Sequence, residues 1–265
     1  MRFRLLLVML ALGVGAVLAQ YKTVSIHDIQ YVDSVGTKGW SPSTLTNDTV
    51  KVTGVIMIRP VISDTNRFPV MYYGTRWGTY IQDTSVAAVK EGWGGINVLQ
   101  NDTTGDNQQT LFDIADTGSV VTITGVVTTY NETNELFLLL KPIQQVEYGK
   151  PLPKRPDPLV LTMSDLTSNK KVNKEYYKYS GTYVEFKDVI VSDVSSAGYF
   201  NINDDKGNQI EAYNQSRYYR TDNNKIPNYN YVPPVAGTHL SYIRGILTLY
   251  QDTYEILPIY PDDIV

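Results

Sequence analysis

The order of strand-like segments is repeated once along this 265-residue chain. The first copy has five such segments, at residues 50–58 (VKVTGVIMI), 78–83 (GTYIQD), 95–100 (GINVLQ), 120–130 (VVTITGVVTTY) and 135–146. The second copy has five in the same order, at residues 181–191 (GTYVEFKDVIV), 198–205 (GYFNINDD), 208–214 (NQIEAYN), 239–250 (HLSYIRGILTLY) and 254–258. β-Branched and aromatic residues bounded by Gly, Asn and Asp are typical of strands. The repeat therefore predicts two similar all-β units.

The boundary between the two copies is rich in proline. Four prolines fall within residues 148–158. Proline fixes the backbone near the polyproline II conformation and stiffens a linker. We therefore expect residues 20–147 and 159–265 to form two units, held apart as a semi-rigid pair by the linker at residues 148–158.

Helices are scarce in the pattern. The best candidates are residues 108–115, between the third and fourth strands of the first unit, and a short turn at residues 163–166 that opens the second. Residues 204–207 (DDKG) predict a tight hairpin in which Gly207 takes a positive φ, and residues 131–134 (NETN) predict a similar turn in the first unit.

Five strands with a helix or long excursion between the third and fourth is the layout of the OB-fold, a partly open Greek-key barrel. The first copy carries V-x-G-V…Y-I-Q-D…G-I-x-V…V-x-I-T-G-V-V, and the second carries F-x-I-N-D…G…I…I-R-G-I-L…I-L-P. On these motifs the chain resembles the tandem OB-fold-like domains of secreted bacterial proteins, often found beside extracellular nuclease, esterase or lamin-tail modules. The resemblance covers residues 23–264 and implies two tandem five-stranded OB-like barrels. It carries over no catalytic residue, and the Tyr/Asn-rich excursion at residues 215–234 departs from it.

The N-terminus reads as an export signal. Arg2 and Arg4 precede an apolar run at residues 5–18, and Ala19 ends a plausible cleavage site. The alternative is a membrane anchor, but the run is shorter than the roughly 20 residues that cross a bilayer. We expect residues 1–19 to be a signal peptide, and the mature chain to be secreted, extracellular or at the cell surface, without a membrane span.

Composition narrows the chemistry. The chain has 23 Lys and Arg against 27 Asp and Glu, so it lacks the basic balance that usually accompanies nucleic-acid binding. It contains no cysteine, which excludes disulfides and thiol catalysis. Its two histidines, His27 and His239, fall in different units, which disfavours a Ser-His-Asp triad or a histidine zinc site. We predict that the protein is not an enzyme and uses neither a metal nor another cofactor.

Carboxylates leave two alternatives open. The segment at residues 203–207 (NDDKG) has some likeness to a calcium loop, although it lacks the downstream glutamate of an EF-hand and a hairpin explains it equally well. A carboxylate-dependent hydrolase is the second alternative, because two acidic groups need only meet in space to act on a glycosidic bond.

Aromatic residues give the main indication of a ligand. The chain has 21 Tyr and 3 Trp, and several fall on or beside the second and third strands of each unit, where an OB barrel binds. Such rings stack on sugars or bases, although many would instead pack in a core. The predicted ligand-binding residues are Tyr72, Tyr73, Trp77, Tyr80, Trp93, Tyr199, Tyr218 and Tyr219, with Tyr213, Tyr229 and Tyr231 in the same set.

Three functions are compatible with these features. The first is a non-catalytic structural or adhesive protein outside the cell that associates with itself, or with other surface and matrix components, and forms fibres. The second is a binding module for oligosaccharide or single-stranded nucleic acid, and the third is the hydrolase. Self-association would use residues 20–32 (QYKTVSIHDIQYV), which either fold back onto their own barrel or add to the edge of a neighbour.

Overall fold

The computed structural model describes residues 21–32, 41–61, 68–101, 110–131, 133–139, 146–168, 171–172, 174–220, 231–251 and 253–265. The predicted signal peptide and Tyr229 lie outside these ranges. The strands are β1 (Lys22–Val24), β2 (Thr49–Ile56), β3 (Met71–Tyr73), β4 (Arg76–Gln82), β5 (Gly95–Asn101), β6 (Val120–Tyr130), β7 (Thr133–Leu138), β8 (Val146–Tyr148), β9 (Leu159–Val160), β10 (Thr167–Ser168), β11 (Lys171–Val172), β12 (Tyr183–Ser192), β13 (Phe200–Asn203), β14 (Gln209–Ala212), β15 (His239–Tyr250) and β16 (Thr253–Leu257). The helices are α1 (Ile26–Gln30), α2 (Val86–Glu91), α3 (Leu111–Ile114) and α4 (Met163–Leu166), with 3-10 helices at Lys174–Tyr179 and Pro261–Asp263.

Strand pairing closes both of the larger sheets. In the N-terminal barrel the order is β2-β4-β5-β7-β6, and β6 pairs again with β2. In the C-terminal barrel the order is β13-β14-β16-β15-β12, and β12 pairs again with β13. Within each ring, the third and fifth strands in sequence order are parallel and the other neighbours are antiparallel. The predicted all-β class is confirmed, and a closed five-stranded barrel is present.

The repeat extends further towards the start of each barrel than the strand pattern predicts. β1 pairs in parallel with β2, and β9 pairs in parallel with β12. A short capped helix follows each of these strands: Ser25 and Asp28 form a capping box at α1, and Thr162 and Asp165 form one at α4. The equivalent segments read TVSIHDI and VLTMSDL. They anchor the start of each unit onto its own first barrel strand.

This pairing decides between the two alternatives for the N-terminal segment. Lys22 pairs with Val50 and Val24 pairs with Val52 on β2, so the segment folds back onto its own barrel. Strand addition to a neighbouring molecule through these residues would first require that pairing to break.

Most of the predicted strands are present, with ends displaced by a few residues. β6 and β15 have the predicted bounds, and the turn helix at residues 163–166 is confirmed as α4. The helix predicted at residues 108–115 is shorter, because Thr110 caps it and Ala115 is already extended. The pattern missed α2, although Ser85 caps its start and Gly92 ends it, which are ordinary helix boundary residues.

Each barrel has its own apolar interior. In the N-terminal barrel, Trp77 and Phe112 pack among β-branched residues of the strands. In the C-terminal barrel, Phe186, Phe200 and Tyr254 fill the equivalent space. Among the described residues, no helix is long and apolar enough to cross a bilayer.

A third apolar cluster joins the two barrels, so the expectation that the linker holds them apart is wrong. Met57, Ile58 and Met71 of the N-terminal barrel pack against Tyr183 and Ile246 of the C-terminal barrel. Hydrophobic burial at this contact favours association over separation, and the stiffness of the prolines does not oppose it. The two barrels therefore form a continuous packed structure.

Backbone contact reinforces the junction at two glycines. A Cβ built on Gly95 would lie 2.2 Å from the carbonyl oxygen of Gly181, a separation that no side chain tolerates. The adjacent Trp93 donates its backbone N–H to the Lys178 carbonyl at 2.5 Å, and its ring packs on Tyr177. The N-terminal barrel thus contributes a tryptophan to the core of the C-terminal barrel.

The proline-rich segment is itself packed onto both barrels. The Leu152 N–H donates to the Gly118 carbonyl at 2.9 Å. The Arg155 guanidinium lies 3.9 Å from the centre of the Tyr183 ring and 3.3 Å from the Asp263 carboxylate. These contacts turn the linker into part of the interface.

Candidate functional site

The two barrels enclose a cleft of about 660 Å³ between them. This volume lies within the roughly 300–1,000 Å³ of typical ligand sites. Both barrels contribute tyrosine, carboxylate, amide and hydroxyl groups to its walls: Tyr73, Tyr80, Asn97, Tyr130, Asn131, Thr133 and Glu135 from one, and Tyr199, Glu211, Tyr213, Gln215, Thr248, Tyr250, Gln251, Thr253 and Glu255 from the other. None of the described lining residues is Lys, Arg or His.

Equivalent positions of the repeat meet in this cleft. On the parallel strands β5 and β7, Asn97 lies beside Glu135, and on β14 and β16, Glu211 lies beside Glu255. Tyr130 and Tyr250 end the equivalent strands β6 and β15. The cleft therefore has approximate internal symmetry, and one amide in the N-terminal half is replaced by a carboxylate in the C-terminal half.

Asn97 and Glu135 form a buried pair. The Asn97 Nδ2 donates to Glu135 Oε1 at 3.0 Å, and the two residues are only 7% and 5% exposed. Burial raises the pKa of Glu135, while the Asn97 hydrogen bond and the Arg76 charge oppose that shift. Neither Asn97 Oδ1 nor Glu135 Oε2 has a hydrogen-bond partner among the described residues.

The second pair, Glu211 and Glu255, consists of two carboxyl groups and is partly buried. Burial and the neighbouring Glu211 charge together raise the pKa of Glu255 to about 7. Burial also raises the pKa of Glu211. A carboxyl group that changes charge near neutral pH is typical of a functional cleft.

Tyrosines occupy both sides of the cleft. The Tyr73 and Tyr80 hydroxyls lie 3.2 Å apart in the N-terminal half. Tyr199 and Tyr213 pack with ring centres 6.0 Å apart in the C-terminal half. Tyr130 and Tyr250 are 54% and 43% exposed at the two equivalent strand ends. The cleft thus offers aromatic surface next to hydrogen-bonding groups.

The structure brings three of the eight predicted ligand residues into this cleft, namely Tyr73, Tyr80 and Tyr199, together with Tyr213 from the wider set. Tyr72 and Tyr218 are half-buried at the junction of the barrels and do not line the cleft. The Tyr72 carbonyl accepts a hydrogen bond from Gln215 Nε2. Whether any of them binds a ligand remains a prediction.

The two predicted tryptophans are not on an exposed face, which corrects that part of the expectation. Trp77 is fully buried in the N-terminal core and Trp93 is 8% exposed at the junction. Tyr219 is likewise buried, with its hydroxyl donating to the Tyr260 carbonyl. Large rings fill cores and junctions efficiently, and a sequence does not show which face of a strand points inward when both are apolar. Because both rings are buried, replacing Trp77 and Trp93 by alanine would test how they contribute to folding, and it would not test ligand binding.

Neither the Asn97–Glu135 pair nor the Glu211–Glu255 pair was predicted from the sequence. Their signal is in the repeat itself, because YNETNE at residues 130–135 aligns with YQDTYE at residues 250–255. The conserved order of Tyr, Thr and Glu marks the same strand end and the same cleft-facing position in both barrels.

A second cleft, of about 520 Å³, lies on the C-terminal barrel beside α4 and includes Asp204, Asp205 and His239. The Asp204 carboxylate accepts the Lys206 and Asn208 backbone N–H groups at 3.0 and 2.8 Å, which is the hairpin role. Gly207 has the predicted positive φ, at 78°. In the part of the chain that the structure describes, no three His, Cys, Asp or Glu residues are placed to hold a metal ion.

Glu255 should make stability depend on pH. Its raised pKa means that the folded protein keeps a proton which the unfolded chain releases near pH 4 to 5, so this contribution is present at low pH and is lost as pH rises to about 7. We expect unfolding free energy to fall by up to about 3 kcal/mol from about pH 4.5 to about pH 8. Urea titrations should show a flatter profile for Glu255→Gln, and an unchanged one for Glu147→Gln, whose side chain is 61% exposed. Equal profiles for wild type and Glu255→Gln would contradict the assignment.

Comparison with known proteins gives no family for the chain. No protein-family model matches it, and no curated protein was found to be similar. Among solved structures, one described provisionally as an aspartyl-tRNA synthetase from Leishmania major Friedlin matches with a TM-score of 0.30 and 13% identity. The match covers 60% of this chain and 26% of that chain, and at this TM-score it carries no conclusion about fold or function.

Proposed function

We propose that the protein is a non-catalytic, secreted binding protein, in which two OB-like domains hold an oligosaccharide in the cleft between them. The OB-like assignment is supported by the strand order, in which the fifth strand lies between the third and the fourth in each ring. It is also supported by α3, which lies between the third and fourth strands of the N-terminal ring. Export is supported by the leader-like sequence of residues 1–19.

The observation that carries the ligand assignment is the composition of the cleft wall. Six tyrosines supply flat surface, and threonine, asparagine and glutamine side chains supply neutral donors and acceptors. Sugar rings present apolar faces edged by hydroxyl groups, and a wall of this kind matches both. Three glutamates line the cleft, and none of the described lining residues is Lys, Arg or His. Such a wall repels a phosphate backbone, so we favour oligosaccharide over single-stranded nucleic acid as the ligand.

The exposed tyrosines at the two strand ends provide the test. By the estimates for bases stacked on aromatic rings, each ring contributes about 1–3 kcal/mol. We expect Tyr130→Ala and Tyr250→Ala each to weaken binding of neutral oligosaccharides by that amount in isothermal titration calorimetry. Tyr148→Ala is the matched control, because Tyr148 is 50% exposed and does not line the cleft. Tighter binding of an oligothymidylate than of any oligosaccharide would contradict the proposal.

One observation favours a second candidate, glycoside hydrolysis. Glu255 is protonated up to about pH 7 and has Glu211 beside it, which is the combination of acid and carboxylate that such chemistry uses. We nevertheless expect no turnover of glycosidic, ester or phosphodiester model substrates above background. Turnover that Glu255→Gln abolishes, with the fold intact by circular dichroism, would make the hydrolase the correct function.

Self-association into fibres stays a prediction. The N-terminal strand that motivated it is paired within its own barrel. A structural role would therefore need other edges, such as β9, where Val160 is 53% exposed. Light scattering of the concentrated protein distinguishes an assembling protein from a monomer.

A further inference from the structure

The buried Asn97–Glu135 pair constrains the ligand beyond its general class. The Asn97 Nδ2 donates one of its two hydrogens to Glu135 Oε1, and the buried acceptors that remain on this pair are Asn97 Oδ1 and Glu135 Oε2. Both lack a partner among the described residues, both residues are more than nine-tenths buried, and both line the cleft. Leaving a buried acceptor without a donor costs about 1–3 kcal/mol, and more for a charged one. This end of the cleft thus presents two buried acceptors that a donor on a ligand can satisfy.

The other half of the cleft has the same preference and one more carboxylate. Glu211 occupies the position equivalent to Asn97, and Glu255 the position equivalent to Glu135. Glu211 therefore adds a carboxyl group that faces a ligand spanning both barrels, and Glu255 adds a second carboxylate once it loses its proton at about pH 7. Two arginines act on groups of the cleft. The Arg76 charge opposes the raised pKa of Glu135, and its guanidinium lies 5.5 Å from the centre of the Tyr130 ring. The Arg220 charge opposes the raised pKa of Tyr73 and Tyr213. Neither arginine lines the cleft.

We propose that the oligosaccharide bound here carries protonated amino groups, and that Glu135 and Asn97 together receive one of them. This inference rests on the proposed function. An ammonium group has three donors and no acceptor, so it satisfies two adjacent acceptors without adding an acceptor of its own. A single sugar hydroxyl donates only one hydrogen, so a neutral sugar needs two hydroxyl groups in register to satisfy both acceptors, and it brings further acceptor atoms with them.

The tyrosines add to the preference for a cation. The negative face of an aromatic ring attracts an ammonium group within about 6 Å, most strongly where water is excluded. The Tyr80 and Tyr73 hydroxyls lie 3.2 Å apart on the same side of the cleft as Glu135, and Tyr130 at the rim of that side is 54% exposed. Carboxylates and tyrosine faces together therefore favour amino sugars over neutral, sulfated or carboxylated ones.

The test compares two sugars that differ only at nitrogen. A glucosamine tetramer, which is cationic at about pH 6, and an N-acetylglucosamine tetramer, which is neutral, are titrated into the full protein by calorimetry. We expect the glucosamine tetramer to bind at least about tenfold more tightly, with an affinity that falls as salt is raised. Glu135→Gln keeps the size of the side chain and removes its charge, and it should abolish that difference. Glu147→Gln makes the same change in net charge at an exposed site paired with Lys51, outside the cleft, and should leave it intact.

The outcomes separate the two proposals. Equal affinity for the two tetramers, unaffected by Glu135→Gln, overturns the amine inference and leaves the oligosaccharide function standing. If neither tetramer binds, the inference is overturned, and the titration of neutral oligosaccharides into the Tyr130 and Tyr250 variants decides the proposed function separately. Should Glu135→Gln fail to fold, Glu255→Gln at the partly exposed equivalent position is expected to reduce the preference for glucosamine at about pH 7, where Glu255 begins to ionise and the amino groups of the sugar still carry charge.

Discussion

Replacing Gly95 by alanine is expected to split the unfolding of this protein into two transitions. The new Cβ would lie 2.2 Å from the Gly181 oxygen and 2.4 Å from its carbonyl carbon, both of which are backbone atoms. Backbone cannot rotate away as a side chain can, so the barrels must separate to admit the methyl group. Overpacking typically lowers the free energy of unfolding by about 1–3 kcal/mol, and we expect the loss here to reach or exceed the upper end of that range. Because the contact joins the barrels, the loss should appear as reduced cooperativity between them.

The measurement is urea unfolding followed by circular dichroism and by tryptophan fluorescence, to which Trp77 in the N-terminal core, Trp93 at the junction and Trp40, outside the described residues, all contribute. Gly207→Ala is the control. It places a Cβ at a positive φ of 78° with no atom within 4 Å, so it carries a backbone cost of about 1–2 kcal/mol without a clash. The control should keep one transition at a lower urea midpoint. A single transition at the wild-type midpoint for Gly95→Ala would show that the close contact between Gly95 and Gly181 does not hold the barrels together.

Asp263→Ala is expected to destabilise the protein by about 3–5 kcal/mol. The Asp263 carboxylate is 1% exposed and accepts the Ile259 and Tyr260 backbone N–H groups at 2.9 Å each. Its other oxygen accepts the Tyr183 hydroxyl at 2.6 Å and faces Arg155 at 3.3 Å. The alanine leaves these donors without their acceptor, including a guanidinium that is mostly buried.

The neighbouring residue supplies a matched control for this change. Asp262 is exposed, and Asp262→Ala should alter the unfolding free energy by no more than about 0.5 kcal/mol. Asp263→Asn keeps one acceptor oxygen and should fall between the two in thermal unfolding. Equal melting temperatures for Asp262→Ala and Asp263→Ala would mean that the Asp263 network does not hold the C-terminal barrel to the linker.

The strands of the barrels could be predicted from the sequence because turn-forming residues next to them in the chain mark where they end. β6 and β15 end in turns that begin at Asn131 and Gln251, both at positive φ, and such turns are visible in a linear pattern. The short strand β9 was not predicted, and β1 was predicted only as one of two alternatives for residues 20–32, because two or three residues are too few for an alternating pattern and their pairing is set by distant strands.

The junction and the cleft depend on contacts that no local pattern encodes. Gly95 and Gly181 look like ordinary strand starts, yet their contact fixes how the barrels meet. Because the barrels meet in this way, Glu135 and Glu255 line one cleft, although they lie 120 positions apart in the sequence. Only the tyrosines were found in advance, since their number was visible in the composition.

The fused junction has a kinetic consequence. Trp93, the two glycines and the packed linker fix the barrels against each other. The cleft between them is therefore formed before a ligand binds. A ligand that enters it loses little affinity to ordering the protein, so the entropic penalty falls mainly on the ligand's own torsions. Association should then follow simple second-order kinetics without a slow isomerisation, and differences in affinity among related ligands should appear mainly in their residence times.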